Sequence, residues 1–338
     1  MDDQTLTALM LQAVETELQN AVNQAFGPAC GELRQMLAAH MGWEGAGAGP
    51  QARGKRLRPL LVLLSAAACG SPWHAALPAA AAVELLHNFS LIHDDIQDNS
   101  PLRRGRPTVW VTWGMPQAIN AGDAMFSLSQ VVLLRLAQTV SPQAAIQAAD
   151  LFNRTCIRLT EGQYLDIAFE KRQNITLTDY QMMISGKTAA LLAACCGLGA
   201  IAAGASPAIQ TEMQTFGQEV GLAFQIIDDI LGIWGDEQQT GKSHQSDLVS
   251  GKKTLPVLYA LEQKGAFYEQ WQVGPVTPAH VPAMISLLDA CGARAYAEAS
   301  ARTHSQAALA ALDAAIPQKN PAANTLLAMT NNLLFRHS

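Results

Sequence analysis

The sequence contains few charged or aromatic side chains for its length. Of its 338 residues, 15% are charged and 6% are aromatic, whereas 49% are hydrophobic. Such a chain can bury a large core, which excludes a disordered or fibrous protein. Acidic residues outnumber basic ones by 28 to 22, and the formal net charge is -6. This balance excludes a nucleic-acid partner that is held mainly by neutralisation of its phosphates.

Cysteine pairs of metal-binding type are also missing, and we expect no export signal. The six cysteines are scattered apart from Cys195 and Cys196, so we predict reduced, mostly buried thiols in a cytoplasmic protein. The chain begins with acidic residues instead of the basic region of a secretory signal. The most apolar stretch, Ala189 to Ala203, is shorter than the roughly 20 residues of a membrane span and predicts a buried helix, not an integral membrane segment.

Alternation of apolar and polar residues, the pattern of β-strands, is almost absent. Apolar residues recur instead at the three- and four-residue spacing of helices, so the sequence predicts an all-α protein. No repeat or linker-like seam divides it, which favours one helical domain over residues 1–338 with a motif-bearing core at about 54–256. We predict helices within 5–39 (interrupted near Gly27), 58–68, 78–98, 115–139, 142–169, 178–204 and 206–233, followed by a polar stretch over 235–253.

Three carboxylates stand at the end of the helix predicted over 78–98. Asp94 and Asp98 in HNFSLIHDDIQD are four residues apart and therefore share a helix face, about 6 Å apart at their α-carbons, with Asp95 beside them. Like charges this close are costly, and hard oxygen ligands with room for water suit Mg²⁺.

A second acidic pair, Asp228-Asp229, ends another apolar helix. If the two helices face each other, their carboxylates can hold several Mg²⁺ ions that clamp a diphosphate. Cations that suit a diphosphate accompany both clusters: Lys55, Arg56, Arg58, Arg103, Arg104, Lys187, Lys242, Lys252 and Lys253.

The motifs GKRLRP, ELLHNFSLIHDDIQDNSPLRRGRPT, SGKTAALL and FQIIDD…GD…TGK…SDL…GKKTLP resemble the trans-isoprenyl diphosphate synthase (polyprenyl synthetase) family in order and spacing. The resemblance implies an all-α bundle around a deep central pocket, usually a homodimer in the cytoplasm. It implies an enzyme that joins isopentenyl diphosphate to an allylic diphosphate, with about three Mg²⁺ ions in each active site.

The resemblance also implies roles for single residues. Those that match the site of isopentenyl diphosphate are Lys55, Arg58, His87 and Arg104. Those that match the site of the allylic diphosphate are Arg103, Lys187, Thr188, Gln225, Lys242 and Lys252. The metal ligands implied are Asp94, Asp95, Asp98 and Asp228, and the catalytic set is Asp94, Asp95, Asp98, Arg103, Lys187, Asp228 and Asp229. His93 matches no liganding role, and we interpret it as a packed or capping histidine.

The second acidic motif departs from the pattern of the family. Gly232 stands where its last aspartate belongs, and the next carboxylate is Asp236, one turn further on. Asp236 or water then substitutes as a metal ligand. Gly232→Asp is expected to lower the Mg²⁺ concentration that is needed for half-maximal rate. In GKSHQSDL, Gln245 replaces a frequent glycine.

Three other functions stay open at this point. A class I terpene cyclase shares the first acidic motif, but it needs no second diphosphate site. A non-catalytic partner subunit of a prenyl synthase would be expected to lose metal ligands, and DDIQD is intact. A phosphohydrolase of the His-Asp type could use His93 and Asp94, yet it explains neither the second acidic pair nor the arginines after the first.

In the family that these motifs resemble, the growing chain descends beside the helix that ends in DDIQD, so this helix is expected to limit product length. Ser90, one turn before Asp94, is small and leaves the pocket open there. In the family, an aromatic residue at the position of Phe89, without a second one at Ser90, resembles enzymes that stop at C20. The expected product is geranylgeranyl diphosphate, and Phe89 and Ser90 are the candidate chain-length residues.

Overall fold

The computed structural model describes residues 3–235 and 246–334, and this part of the chain is almost entirely α-helical. This confirms the predicted fold class. The helices, numbered in chain order, are α1 (Asp3–Ala25), α2 (Gly31–His40), α3 (Pro50–Arg53), α4 (Leu57–Ala68), α5 (Leu77–Gln97), α6 (Val109–Trp113), α7 (Met115–Leu134), α8 (Pro142–Lys171), α9 (Leu177–Ile184), α10 (Ala190–Ala202), α11 (Pro207–Trp234), α12 (Ser246–Val249), α13 (Leu255–Glu262), α14 (Ala266–Gln272), α15 (Val281–Ala290), α16 (Ala293–Ala315) and α17 (Pro321–Leu334).

Short elements of other types connect some of these helices. Four are single 3-10 turns, at Pro28–Cys30, Trp73–Ala76, Arg135–Gln138 and Pro278–His280. A π-helical turn, Ser185–Ala189, separates α9 from α10. Strands β1 (Leu102–Arg103) and β2 (Arg106–Pro107) form a small antiparallel hairpin.

The chain divides into two compact units. The first comprises residues 1–152, 195–210 and 319–326, and the second comprises 153–194, 211–318 and 327–338. The assignment of the whole chain to one domain stays a prediction.

Helix α5 is the central helix of the first unit. Pro78 occupies its first turn, where a missing N–H costs nothing, and the alanine- and leucine-rich stretch over 79–86 is buried. The helix ends at Gln97 with Asp98 as its C-cap, and Asn99 follows in the left-handed region with φ of 51°. Helix α7 packs along α5, and Gly122 leaves room for the ring of His93, since a Cβ there would lie 2.2 Å from His93 Nε2.

The apolar core of the second unit lies among α9, α11, α13 and α16. Its buried side chains include Tyr180, Ile226, Ile227, Leu258 and Ala301. Ile226 and Ile227 directly precede the second acidic pair, so burial of this face of α11 fixes where Asp228 and Asp229 project.

Two helical stretches are apolar and long enough to cross a membrane by length and composition. They are Trp73–Gln97 and Leu177–Ala202, and 67% and 83% of their most apolar windows are buried inside the protein. Buried core helices pass the same test, so this is weak evidence for a span. The predicted burial of the stretch from Ala189 to Ala203 is confirmed.

Candidate active site

Adjacent aspartates at the end of α5 face different environments. Asp94 is half-buried and Asp98 is exposed, whereas the side chain of Asp95 is only 2% exposed. Neighbouring helical residues point about 100° apart, which explains why Asp95 turns inward while Asp94 and Asp98 share the outer face. Asp94 and Asp98 are therefore the carboxylates of this motif that face outward and can reach a metal ion.

The buried Asp95 holds an arginine from the hairpin. Arg103 Nε donates to both oxygens of Asp95, at 2.8 and 3.0 Å, and its Nη2 lies 2.8 Å from Oδ1. Burial raises the pKa of Asp95, and the hydrogen bond from Arg103 opposes that rise. These contacts fit a positioning role for Asp95, and its assignment as a metal ligand stays a prediction.

The hairpin also places Arg104 beside the segment that contains Lys55. Arg104 has a φ of 51°, and its Nη1 donates to the carbonyl of Ala52 at 2.9 Å. Gly54 makes the approach possible, because a Cβ there would lie 2.7 Å from Arg104 Nη2. Lys55 itself is exposed.

Two arginines of GKRLRP serve different purposes. Arg56 is 4% exposed and is held by Glu15 at 2.6 Å and Glu84 at 2.7 Å. These buried ion pairs tie α1 and α5 to the start of α4, so Arg56 stabilises the fold and is not left for a diphosphate. The role of Arg58, two residues on, toward a diphosphate stays a prediction.

Arg58 and His87 form the centre of a cationic cluster in the first unit. Arg58 Nη1 lies 3.1 Å from His87 Nε2. Burial lowers the pKa of His87 well below its ordinary value, and Arg58, Arg104 and Arg103 lower it further. Arg58 Nε is buried and has no hydrogen-bond partner among the described residues. An unpartnered donor in a field of positive charge fits an anionic ligand.

The second acidic pair repeats the arrangement of the first. Asp228 is exposed, whereas the side chain of Asp229 is 2% exposed. Asp229 accepts hydrogen bonds from Tyr180 Oη at 2.6 Å, the backbone N–H of Leu255 at 3.1 Å and Gln225 Nε2 at 3.1 Å. Burial raises the pKa of Asp229, and Lys252 and these donors oppose the rise. Asp229 thus links α11 to α9 and α13, while Asp228 faces outward.

Two of the residues predicted to bind the allylic diphosphate, Gln225 and Thr188, connect to this pair by hydrogen bonds. Thr188 Oγ1 donates to Gln225 Oε1 at 2.8 Å, and Lys187 forms an ion pair with Asp166 on α8. Gly162 lets α8 approach the π-helical turn, since a Cβ there would lie 2.1 Å from the backbone nitrogen of Lys187. A π-helical turn of this kind is frequent at functional sites.

Two adjacent lysines near α12 make different contacts. Lys252 Nζ lies 3.9 Å from Asp229 Oδ1 and 3.9 Å from Asp247 Oδ2. Lys253 instead donates to the carbonyl of Phe169 at 2.6 Å, near the end of α8. Lys252 therefore belongs to the acidic cluster, and Lys253 stabilises a helix terminus. Lys242 and Asp236, also proposed from the sequence, lie outside the described residues.

The sequence did not identify three residues that contact Lys187, Asp229 or Lys252. Asp166, Tyr180 and Asp247 receive no role from the sequence, although Asp247 lies within the SDL motif. Asp166 and Tyr180 occur singly on amphipathic helices, so only their long-range contacts reveal them.

The carboxylates suit Mg²⁺ ions that are shared with a diphosphate. Within residues 3–235 and 246–334, no three His, Cys, Asp or Glu side chains converge closely enough to enclose a metal ion by themselves. Mg²⁺ is commonly held by one or two carboxylates together with water and substrate phosphates. The outward Asp94, Asp98 and Asp228 fit that mode of binding.

The candidate chain-length residues lie against α7. Phe89 is half-buried, and its ring centroid lies 5.0 Å from that of Phe126 and 4.8 Å from that of His93. Ser90 Oγ donates to the carbonyl of His87 at 2.8 Å. His93 packs between Phe89 and Gly122, as expected for a packed histidine.

Comparisons with known proteins agree with these features. The family described as Polyprenyl synthetase matches residues 48–276. The chain is 42% identical over 284 residues to a (2E,6E)-farnesyl diphosphate synthase from Mycobacterium tuberculosis, covering 80% of this chain and 77% of that protein. It is 38% identical over 333 residues to a geranylgeranyl diphosphate synthase of the same organism, covering 92% and 94%.

Solved structures give the same result. The polyprenyl synthetase from Streptomyces coelicolor A3(2) superimposes with a TM-score of 0.86 at 34% identity, covering 97% of this chain and 98% of that one. The geranylgeranyl pyrophosphate synthetase from Pyrococcus horikoshii Ot3 has a TM-score of 0.86 at 31% identity, covering 98% and 100%. Motifs, helical fold and family match together show that this chain belongs to the polyprenyl synthetase family.

Proposed function

We propose that the protein is a Mg²⁺-dependent isoprenyl diphosphate synthase, which joins isopentenyl diphosphate head-to-tail to an allylic diphosphate. The observation that carries the proposal is the cationic cluster of Arg58, His87 and Arg104, with the buried, unpartnered Nε of Arg58. This cluster is separate in sequence from the cations around Asp228. A terpene cyclase needs one diphosphate site, whereas a synthase needs two.

The reaction follows from the charges of these residues. Lys187 and Lys252 stabilise the negative charge that develops on the allylic diphosphate as its C–O bond breaks. Mg²⁺, when bound, supplies further electrostatic stabilisation of the leaving diphosphate. The double bond of isopentenyl diphosphate attacks the resulting allylic cation, a carbon–carbon bond forms, and a proton leaves to the departed diphosphate. Lys55, Arg58, His87 and Arg104 orient the attacking substrate.

We propose geranylgeranyl diphosphate as the main product. Phe89 packs against Phe126, and small Ser90 leaves space one turn below Asp94. The relatives do not separate the two short-chain products, because farnesyl and geranylgeranyl diphosphate synthases occur at similar identity.

We propose that the enzyme is a cytoplasmic homodimer that uses α7 in its interface. Helix α7 exposes large apolar side chains that gain from being covered. They are Met115, Ile119, Val131 and Leu134, with exposed fractions of 45%, 43%, 54% and 68%. Light scattering after size exclusion should give a dimer for the wild type and a monomer for Leu134→Glu.

The test of the activity is incubation of the protein with Mg²⁺, isopentenyl diphosphate and an allylic primer of C5, C10 or C15, followed by mass analysis. A product longer than the primer supports the synthase. A cyclised hydrocarbon formed from the allylic diphosphate alone would establish a terpene cyclase. Absence of any product from an intact, folded protein would favour a partner subunit.

A further inference from the structure

Arg106 lies on strand β2, and the sequence assigns it no role toward a substrate, in contrast to the other two arginines of the hairpin. Each of its three guanidinium nitrogens donates to a backbone carbonyl of one segment. Nε donates to Ala46 at 2.9 Å, Nη1 to Ala39 at 2.7 Å and Nη2 to Glu44 at 2.7 Å. Hydrogen bonds from a charged donor are roughly twice as strong as those between neutral groups. Arg106 therefore fastens the hairpin to residues 39–46.

The segment that Arg106 holds continues as a glycine-rich loop over residues 42–49, which we call the glycine loop. Glycine loses more conformational entropy on ordering than other residues, so contacts from outside help to hold such a loop in one conformation. A Cβ on Gly45 would lie 3.2 Å from Arg106 Nη2, and one on Gly47 would lie 3.5 Å from its Cγ. Arg106 thus supplies contacts that order the loop. Four residues of the loop are glycines with positive φ: Gly42, Gly45, Gly47 and Gly49.

The glycine loop also contacts the short helix α3, which leads to Lys55. A Cβ on Gly42 would lie 2.7 Å from the carbonyl carbon of Ala52 and 2.8 Å from its oxygen, so the start of the loop packs directly on this peptide group. The same oxygen of Ala52 accepts a hydrogen bond from Arg104 Nη1 at 2.9 Å. Ala52 therefore joins the glycine loop to a side chain that is predicted to bind isopentenyl diphosphate.

Arg104 stands in the turn between the two strands, so its position depends on how the hairpin is held. Both turn residues have positive φ, 51° at Arg104 and 73° at Gly105, as in the tight two-residue turn of β-hairpins. Across the hairpin, Arg106 pairs with Arg103, which is held by Asp95 at the end of α5. The hairpin is therefore fastened at two places, to the first acidic motif by Arg103 and to the glycine loop by Arg106.

We propose that Arg106 is a positioning residue for isopentenyl diphosphate, because it fastens together the hairpin and the glycine loop that hold Arg104. This inference rests on the proposed function. Arg106 acts through Arg104, since its own guanidinium nitrogens already donate to the backbone. Charged side chains that are held in place before binding favour it, because less of the chain must be ordered when the ligand arrives. The allylic substrate should depend less on Arg106, because Arg103 keeps its ion pair with Asp95.

The experiment compares the KM values of the two substrates in steady-state kinetics with Mg²⁺. Arg106→Ala should raise the KM for isopentenyl diphosphate about tenfold or more, while kcat and the KM for the allylic primer stay within about threefold of wild type. Arg106→Lys keeps the positive charge, but its compact ammonium cannot span the three carbonyl groups that the guanidinium fork spans, so it should restore little of the loss. The matched control is Arg34→Ala, which removes an arginine whose hydrogen bonds to the loop go to the side chain of Glu44, and its KM values should equal those of the wild type.

Amide hydrogen exchange measures the glycine loop itself. Exchange of the backbone amides over 42–53 should be about tenfold faster or more in Arg106→Ala than in the wild type, because the loop loses the contacts that order it.

A second variant disturbs the same contact from the loop and leaves Arg106 intact. In Gly45→Ala the new Cβ crowds Arg106 Nη2, and alanine is unfavourable at the φ of 87° that this position has. It should raise the same KM and leave the other. Its control is Gly27→Ala, at a glycine with negative φ and open space around its Cβ position. Thermal unfolding establishes that each variant folds, and Gly45→Ala decides the matter if Arg106→Ala does not.

Four results would overturn the inference. They are an unchanged KM for isopentenyl diphosphate in the folded variants, an equal rise of both KM values, full recovery in Arg106→Lys, and unchanged exchange of the glycine loop in Arg106→Ala. Chain extension by the wild type is measured separately. A wild type that extends primers while Arg106→Ala keeps its KM refutes only the role of Arg106, whereas a wild type that extends no primer refutes the synthase.

Discussion

Arg58 donates a hydrogen bond to His87 Nε2 across 3.1 Å, and this contact determines the tautomer of the histidine. A guanidinium has no acceptor, so Nε2 must accept and the proton of the neutral ring lies on Nδ1. Burial and the neighbouring guanidinium groups keep the pKa of His87 well below its ordinary value. His87 therefore retains Nδ1–H as a donor, which the proposed binding of isopentenyl diphosphate would use.

Replacement of His87 should affect one substrate more than the other. His87→Ala removes a donor to a charged group, and we expect the KM for isopentenyl diphosphate to rise about tenfold or more. The KM for the allylic substrate should change little. His87→Gln keeps both an acceptor for Arg58 and a donor, so it should restore much of the loss. Equal increases of both KM values in steady-state kinetics would contradict this role.

The stability of the protein should fall in acid because of His40. Burial, with the charges of Arg103, Arg104, Arg56 and Arg106, lowers the pKa of His40 to about 3. The unfolded chain binds a proton near pH 6.5 and the folded chain does not, so this contribution is present above that pH and is lost toward pH 3.

The contribution of His40 to the slope of the unfolding free energy against pH can be measured. It amounts to about 1.4 kcal/mol per pH unit, in the direction of lower stability at lower pH. His40→Gln should flatten the plot of the unfolding free energy against pH between about 6 and 4, as measured by urea unfolding. His280→Gln, at an exposed histidine, should leave the plot parallel to wild type. A parallel plot for His40→Gln would mean that His40 is protonated in the folded protein.

The outward carboxylates of the first motif should be needed for turnover and not for folding. We expect Asp94→Ala and Asp98→Ala each to lower kcat by about 10²-fold or more, because each loses stabilisation of the leaving diphosphate. Their thermal unfolding should match that of the wild type. Glu32→Ala, which removes an exposed carboxylate on α2, serves as the control. Comparable Mg²⁺-dependent turnover in either aspartate variant would refute the metal assignment.

Product length should respond to Phe89 and Ser90. Phe89→Ala removes a ring that packs against Phe126, so the product should lengthen. Ser90→Phe adds an aromatic group one turn below Asp94, and the product should shorten. Mass analysis of the diphosphates checks both changes. If both variants stay active with an unchanged product distribution, other residues limit the chain length.

Local patterns in the sequence predict the helices well, and the structure confirms most of them. The helix predicted over 78–98 is observed as α5, and the break near Gly27 separates α1 from α2. These features depend on apolar spacing and on Gly and Pro, which act within a few residues. The π-helical turn at Ser185–Ala189, whose backbone packs on Gly162 of α8, has no signal in the local sequence pattern.

The contacts that neighbouring cationic side chains make depend on residues that are distant in the sequence. Arg56 and Arg58 look alike in GKRLRP, yet Arg56 is held by Glu15 and Glu84, which lie 41 and 28 residues from it. The carboxylate of Asp247 likewise lies close to the α-carbon of Gly232, fifteen residues earlier. Such pairings are set by tertiary packing, so no local pattern shows which charge faces a ligand.

The central claim is that isopentenyl diphosphate binds beside an allylic diphosphate and forms a carbon–carbon bond with it. The most direct measurement is the mass of the product formed from isotopically labelled isopentenyl diphosphate and an unlabelled C5 allylic primer with Mg²⁺. The account predicts a C20 diphosphate that carries three labelled units. Release of diphosphate with no labelled unit in any prenyl product would contradict it.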